Sequence, residues 1–267
     1  DRYTSFGYAL GFGAPLGVGA LIDISGNDSY ECGGRYPSAY NETDAPDAHP
    51  QDPAFQYDCF GLGTGSGLRV FSKQPALRAQ SLAGGWGLFI DLDGHDRYRS
   101  ANFSQGHGYF FGLGVKLDLN GDDEHQAARY GHGTAAHFGV GLTIDYRGKD
   151  RYGSKGPFYN GGAAWDGSVG LAVDGGTDSD FYDLPVSTGL GMGDLGGWGL
   201  FIEEGGADQY AVSQGLGQGD ADSIGAFFDL EGRDDYASVP PPTKDVRPER
   251  LNRKTFIENR GSLFIDR

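Results

Sequence analysis

Carboxylates recur along this chain in pairs, five residues apart, on either side of a glycine. One copy reads DLDGHDRY at 91–98, and the same frame, D-x-x-G-x-D-x-Y, returns at 23–30 and 145–152. The glycine supplies the backbone conformation of a tight turn. Carboxylate oxygens clustered at such a turn are the hard ligands that Ca²⁺ prefers. The pattern therefore predicts bound calcium at one or more of the turns.

The candidate metal ligands are the aspartates of these turns. The first aspartate of each pair ends an apolar run, and the second aspartate follows the glycine. An EF-hand is excluded, because its twelve-position ligand pattern and flanking helices are missing. The alternative needs no metal: each aspartate caps its own turn by accepting backbone N–H bonds. The predicted ligands are Asp23, Asp28, Asp91, Asp93, Asp96, Asp118, Asp123, Asp145, Asp150, Asp174, Asp180, Asp208, Asp229 and Asp234.

The turns belong to an internal repeat of about 27 residues. An apolar run of the form G-x-G-x-x-x-D precedes most turns, as in GWGLFID at 85–91 and GVGLTID at 139–145. A nucleotide loop is excluded, because it opens a helix in a βαβ unit and does not recur in this way. The unit is too short for propeller blades or helical-pair repeats. It predicts an all-β fold, a parallel β-solenoid with one repeat per coil; a β-sandwich of hairpin repeats is the alternative.

The run before each turn predicts a β-strand with one buried face. Counting back from the first aspartate, positions −1, −3 and −5 are apolar in every copy, whereas Lys116 and Thr143 lie between them. Alternation with period two is typical of a strand buried on one side, so we expect the apolar positions to face the core. Position −4 is glycine throughout these copies, which indicates close approach of another backbone.

An aromatic residue follows the second aspartate two residues later. It is tyrosine in every copy except the one with His125. Equivalent residues of successive coils in a solenoid lie about 4.8 Å apart, so we expect a stacked column of tyrosines. The aspartates would form columns as well, and because like charges repel, these columns need donors or cations to offset them.

Short elements of the form G-x-D-x-Y occur at 26–30, 94–98 and 148–152. They resemble the nonapeptide G-G-x-G-x-D-x-U-x of the calcium-binding β-rolls in secreted bacterial RTX proteins. The resemblance implies a parallel β-roll, secretion from a bacterium and calcium held at the turns. This chain differs from that family because the element comes once per repeat and not in tandem every nine residues.

Composition limits the class of partner. The chain has 21 Lys and Arg against 37 Asp and Glu, for a net charge of −16. Such an acidic chain argues against nucleic acid, whose phosphates need a basic surface. No apolar run approaches the length of a membrane span. The cysteines Cys32 and Cys59 allow either one disulfide or two buried thiols.

We expect a single repeat domain over 1–267, with excursion loops at 31–81 and 238–260. Both chain ends cut a repeat in two, which indicates either a longer array or end-to-end stacking of copies. His107 and His132 each lie in Gly-His-Gly, and on adjacent coils they could form a metal or acid–base site with Asp123 and His125. The alternative is surface or column histidines without a chemical role.

No H-E-x-x-H or G-x-S-x-G motif is present, so no catalytic residue is assigned and an enzyme is not favoured. We expect an extracellular or cell-surface structural or adhesive module, an acidic scaffold or filament unit stabilised by calcium. The alternative is a polysaccharide-binding or polysaccharide-processing protein, since solenoids often handle glycans along a lateral groove.

Overall fold

The chain winds into a parallel β-solenoid of about seven turns, with about 29 residues per coil. This computed structural model describes residues 1–38, 56–70, 76, 80–154, 159–184, 189–212, 216–220, 222–236, 255–258 and 261–267. Inserted residues lengthen some coils beyond the predicted 27-residue repeat, as between Asp174 and Asp180. Among the described residues, no helix is long and apolar enough to cross a membrane.

The strands are short and follow the sequence repeat. In chain order they are β1 (Arg2–Ser5), β2 (Val18–Asp23), β3 (Ser29–Cys32), β4 (Tyr36–Pro37), β5 (Tyr57–Gly61), β6 (Gly65–Ser66), β7 (Trp86–Asp91), β8 (Arg97–Ser100), β9 (Asn102–Ser104), β10 (Gly108–Tyr109), β11 (Leu113–Asp118), β12 (Glu124–Ala127), β13 (Ala135–Ala136), β14 (Val140–Asp145), β15 (Arg151–Ser154), β16 (Ala164–Trp165), β17 (Val169–Asp174), β18 (Phe181–Leu184), β19 (Gly193–Asp194), β20 (Trp198–Glu203), β21 (Gln209–Val212), β22 (Ile224–Asp229), β23 (Thr255–Glu258) and β24 (Ser262–Asp266).

Three parallel walls enclose the core. The long-strand wall has the order β2-β7-β11-β14-β17-β20-β22-β24, with β23 antiparallel at its end. The tyrosine wall has the order β1-β3-β8-β12-β15-β18-β21, and the glycine wall the order β6-β10-β13-β16-β19. A small fourth sheet contains β4, β5 and β9. Parallel pairing of equivalent strands confirms the predicted solenoid over the hairpin sandwich.

Equivalent residues of successive coils lie directly over one another. Asp118 pairs with Asp91 on one side and with Asp145 on the other. The predicted tyrosine column is confirmed, with stacked rings whose centroids are 4.6–5.2 Å apart. It contains Tyr3, Tyr30, Tyr98, His125, Tyr152, Tyr182, Tyr210 and Tyr236.

The long-strand wall buries the face opposite to the one predicted. In β7, Trp86 is 58% exposed, whereas Phe89 and Asp91 are fully buried. The apolar positions −1, −3 and −5 point outward, and the glycine at −4 and the first aspartate point inward. The reason lies in the glycine wall, whose backbone touches that of the long strands. A Cβ added to Gly87 would lie 2.1 Å from the Thr64 carbonyl oxygen, so the thin inner face admits no side chain there.

The region 31–81, predicted as an excursion, carries part of the solenoid. Strands β5 and β6 lie within it, and β6 is the first strand of the glycine wall. The Cys32–Cys59 disulfide is formed and ties β3 to β5. Residues 39–55 and 71–75, together with most of the predicted excursion 238–260, lie outside the described residues.

Candidate metal centre

The first aspartates of the turns form a buried column beside the tyrosine column. The Tyr30 hydroxyl donates to Asp91 Oδ2 at 2.9 Å, and the Tyr98 hydroxyl donates to Asp118 Oδ2 at 2.6 Å. Each of these tyrosines therefore joins its own coil to the next aspartate along the rod. The other carboxylate oxygen, Oδ1, is buried without a hydrogen-bond partner in Asp91, Asp118, Asp145, Asp174 and Asp229.

The second aspartates form a parallel column that links neighbouring coils. Asp28 donates its backbone N–H to Asp96 Oδ1, and Asp123 donates its backbone N–H to Asp150 Oδ1 at 2.7 Å. The capping alternative is thus partly realised, but each side chain caps the preceding coil and not its own turn. The remaining oxygen, Oδ2, is buried without a partner in Asp123, Asp150 and Asp208.

The two columns meet inside the rod as buried carboxylate clusters. Within each cluster, one ligand atom per residue lies within 4.8 Å of the others. The clusters are Asp28, Asp91 and Asp96; Asp118, Asp123, His125 and Asp145; Asp145, Asp150 and Asp174; Asp174, Asp180 and Glu203; and Asp208, Asp229 and Asp234. These groups can hold metal ions, because carboxylate oxygens converge there and each cluster contains at least one buried oxygen without a hydrogen-bond partner.

Burial makes ionisation of these carboxyls unfavourable. It raises the pKa of Asp96 to about 7 and that of Asp208 to about 7, with further increases from neighbouring aspartates. Burial and the charge of Asp180 likewise raise the pKa of Asp174 well above its ordinary value. Several turns therefore carry either a proton or a cation at neutral pH, since a desolvated carboxylate is stable only when compensated.

One layer contains a cation of its own. Lys116, at position −2 of β11, places its ammonium 3.2 Å from Asp118 Oδ2, 3.1 Å from His125 Nδ1 and 3.7 Å from the centre of the Tyr98 ring. Burial lowers the pKa of Lys116, but the charges of Asp118 and Asp145 outweigh burial and raise it, so the ammonium is retained.

His125 completes this layer as a neutral ring. Burial, together with the charge of Lys116, lowers the pKa of His125 well below its ordinary value. A neutral ring that accepts from Lys116 at Nδ1 must carry its proton on Nε2, which lies 2.9 Å from Asp145 Oδ2. Both ring nitrogens are occupied, so Lys116 fills the place that a metal would take in this layer.

Most of the predicted ligands enter the clusters, and two do not. Asp23 is only partly buried and accepts from the hydroxyls of Tyr3 and Tyr30. Asp93 lies on the outside and accepts from Asn120 Nδ2 at 2.6 Å. Glu203, aligned with the first aspartates, was not predicted as a ligand, and His125 was predicted only in a site with Asp123 and the Gly-His-Gly histidines. Lys116 was interpreted as an outward residue, although a charge between apolar positions is also what an inward-facing cation would show.

The Gly-His-Gly histidines lie in the glycine-wall region at different positions of the repeat. On the next coil, the position equivalent to His107 is Thr134, whose hydroxyl lies 2.9 Å from His107 Nδ1. His132 is instead equivalent to Gln105 of the preceding coil. Burial lowers the pKa of His107 and of His132 to about 3. Both rings are therefore neutral and buried, and neither enters a carboxylate cluster. Of the predicted histidine site, only Asp123 and His125 come together among the described residues.

No protein-family model, curated protein or solved structure matches this chain. The fold and the buried side-chain columns therefore define the class of this protein. It is a parallel β-solenoid with a column of stacked aromatic rings and two columns of buried carboxylates along its interior.

Proposed function

We propose that this chain is a structural module of the cell exterior, a stiff rod whose buried carboxylate clusters hold Ca²⁺. The observation that carries the proposal is the recurrence of buried carboxylate oxygens without donors in every cluster, from the first-aspartate column or from both columns. A buried charge without compensation is costly. A cation placed in each cluster would compensate these oxygens and bind adjacent coils together.

The Lys116 layer supports the need for a cation in the other layers. That layer compensates its carboxylates with an ammonium, whereas the cluster of Asp174, Asp180 and Glu203 has no cationic side chain bonded to it among the described residues. Calcium suits such a cluster in size. Two oxygens on opposite sides of Ca²⁺, each at about 2.4 Å, lie about 4.8 Å apart, and the cluster oxygens fall within that separation.

The location outside the cell rests on two features. The Cys32–Cys59 disulfide is of the kind that persists in oxidising surroundings. Calcium is abundant there, and extracellular modules bind it at millimolar or submillimolar levels.

The test combines metal analysis with unfolding. Protein stripped with EDTA is dialysed against CaCl₂ or MgCl₂, and the retained metal is measured by mass spectrometry beside thermal melts. We expect more than one Ca²⁺ per chain and a lower Tm in chelator. Asp174→Asn, which alters two clusters, should reduce the calcium content, whereas the exposed control Asp93→Asn should not. If the protein retains no more metal than the background and melts at the same temperature with calcium and with chelator, protons alone neutralise the clusters.

A second candidate, polysaccharide binding, is favoured by one groove. A concavity of about 780 Å³ crosses several coils outside the tyrosine wall, lined in part by Arg99, Gln126, Arg151 and Asp183. Its guanidinium, amide and carboxylate groups, with Arg99 paired to Glu31 and Arg151 to Asp183, suit the hydroxyl groups of a glycan. A glycan array read with the wild type and with Arg99→Ala tests it, and binding that survives the substitution would place the glycan elsewhere.

A further inference from the structure

The outer face of the long-strand wall is covered with apolar side chains. We define the apolar face as positions −5, −3 and −1 of the seven strands β2, β7, β11, β14, β17, β20 and β22. None of these positions carries a charged or polar side chain. Its residues are Val18, Ala20, Ile22, Trp86, Leu88, Ile90, Leu113, Val115, Leu117, Val140, Leu142, Ile144, Val169, Leu171, Val173, Trp198, Leu200, Ile202, Ile224, Ala226 and Phe228.

The −5 row of the apolar face is largely exposed along the rod, whereas most of the −3 and −1 rows are half-buried and Ala226 is buried. Val18 is 69% exposed at one end, Val140 is 42% exposed at the centre and Trp198 is 53% exposed near the other end. More exposed apolar residues border it, including Phe111 and Phe138, whose rings stack on each other. A single-chain protein rarely exposes a continuous apolar surface of this kind without a partner.

The geometry of the face suits another flat sheet. Successive strands pair without any register shift, so the side chains form straight rows along the rod. Seven strands at about 4.8 Å spacing and the five residues from −5 to −1 at about 3.3 Å give a footprint on the order of 550 Å². The bordering rows at −7 and +1, which include Phe111 and Phe138 as well as Glu204 and Asp222, raise it to the order of 1,000 Å². A stable interface needs about 800 Å² from each partner.

We propose that two copies of this chain pack face to face through the apolar face. The positions of the apolar face carry no charged side chain, so two copies meet there without opposing like charges. Flat apolar sheet faces pack about 10 Å apart in β-sandwiches. This dimer goes beyond the proposed scaffold function and does not depend on calcium.

The positions of the two tryptophans define how the copies lie. Trp86 on β7 and Trp198 on β20 occupy the same position, −5, and each strand lies two strands from β14. A two-fold axis running along β14 places Trp86 of one copy against Trp198 of the other. Such an isologous contact is closed, because each copy uses the same surface. The two rods then run antiparallel.

The oligomeric state tests the proposal. Light scattering after gel filtration should give twice the chain mass of 28.4 kDa for the wild type, in calcium and in EDTA alike. Trp198→Glu should give one chain mass with an unchanged circular dichroism spectrum. The control Phe6→Glu changes a residue of similar exposure, 52%, outside the apolar face and should remain dimeric. A monomeric wild type, or a monomer that binds zwitterionic lipid vesicles, would overturn the proposal.

Cysteine crosslinking tests the antiparallel arrangement separately. Trp86→Cys and Trp198→Cys chains, mixed and mildly oxidised, should form an intermolecular disulfide. Each variant alone should crosslink far less, since the two-fold axis keeps like positions apart. Efficient crosslinking of each variant with itself would instead show parallel rods and overturn the antiparallel dimer.

Discussion

The ammonium of Lys116 lies 3.2 Å from Asp118 Oδ2, and both side chains are fully buried. This pair stands in a rod whose other described layers offer mainly carboxylates and tyrosine hydroxyls to one another. The contact shows how one coil neutralises its share of the aspartate columns by itself. It also predicts how the remaining coils respond when their counter-charge is removed.

Replacing the buried ammonium should destabilise the rod and make its stability depend on bound calcium. Lys116→Met leaves Asp118, Asp123 and Asp145 without their cation, and breaking a buried pair from one side costs about 3–5 kcal/mol. Urea unfolding in EDTA should show this loss, and added calcium should recover part of it. Lys149→Met, at an exposed lysine, is the matched control. Equal stability of the two variants in EDTA would contradict the role given to Lys116.

Protein stripped of metal with EDTA should be more stable in weak acid than at alkaline pH. Burial raises the pKa of Asp96 and Asp208 to about 7, above the value of about 3.9 for an unfolded aspartate. The folded state therefore binds more protons, and this stability is present in full below about pH 4 and is lost as the pH rises through 7. The urea concentration at the midpoint of unfolding, measured in EDTA, should therefore fall as the pH rises through 7. A midpoint that rises over the same range would exclude raised carboxyl pKa values.

Calcium binding should release protons near neutral pH. Carboxyls such as Asp96 must ionise to act as ligands, so each bound ion displaces protons from its cluster. Titration calorimetry in two buffers with different ionisation enthalpies measures the number released. The number of protons released per bound Ca²⁺ should fall at pH values well above 7, where Asp96 is already ionised. Calcium binding without any buffer dependence at pH 6 would place the ions outside the columns.

Removing one tyrosine hydroxyl should weaken the rod while the ring stack remains. Tyr98→Phe keeps the rings stacked on Tyr30 and His125 but removes the 2.6 Å hydrogen bond to Asp118. Loss of a bond to a buried, charged acceptor costs about 1–3 kcal/mol. Denaturant unfolding should show this loss, whereas Tyr146→Phe, at a ring that is 47% exposed, should change little.

The thin core should reject a methyl group at the contact between two walls. In Gly87→Ala the new Cβ would lie 2.1 Å from the Thr64 carbonyl oxygen, so the backbones must separate. Overpacking of this kind costs about 1–3 kcal/mol or more. Gly153→Ala, where the nearest atom to a new Cβ is 3.6 Å away, is the control. Thermal melts that rank the two variants equally would contradict close contact of the walls.

The periodic features of the fold follow from the sequence itself. Coil length, strand position, the glycine turn and the tyrosine column all repeat along the chain, and repetition in sequence becomes stacking in space when each unit pairs with its neighbour. The aspartates that enter the clusters were predicted for the same reason. The close backbone approach at position −4 was also readable, because glycine occupies that position in successive coils.

The tertiary structure alone decided which face of each long strand is buried. Alternation with period two separates two faces but does not say which one meets the other walls. The glycine wall comes so close that only glycine, the residue at −2 and the carboxylates fit inside, and the apolar rows are left outside. Lys116 and His125, nine residues apart, meet because the intervening turn folds their strands onto one layer and because position −2 faces inward. The turn is readable from the sequence, but the inward direction of position −2 is not.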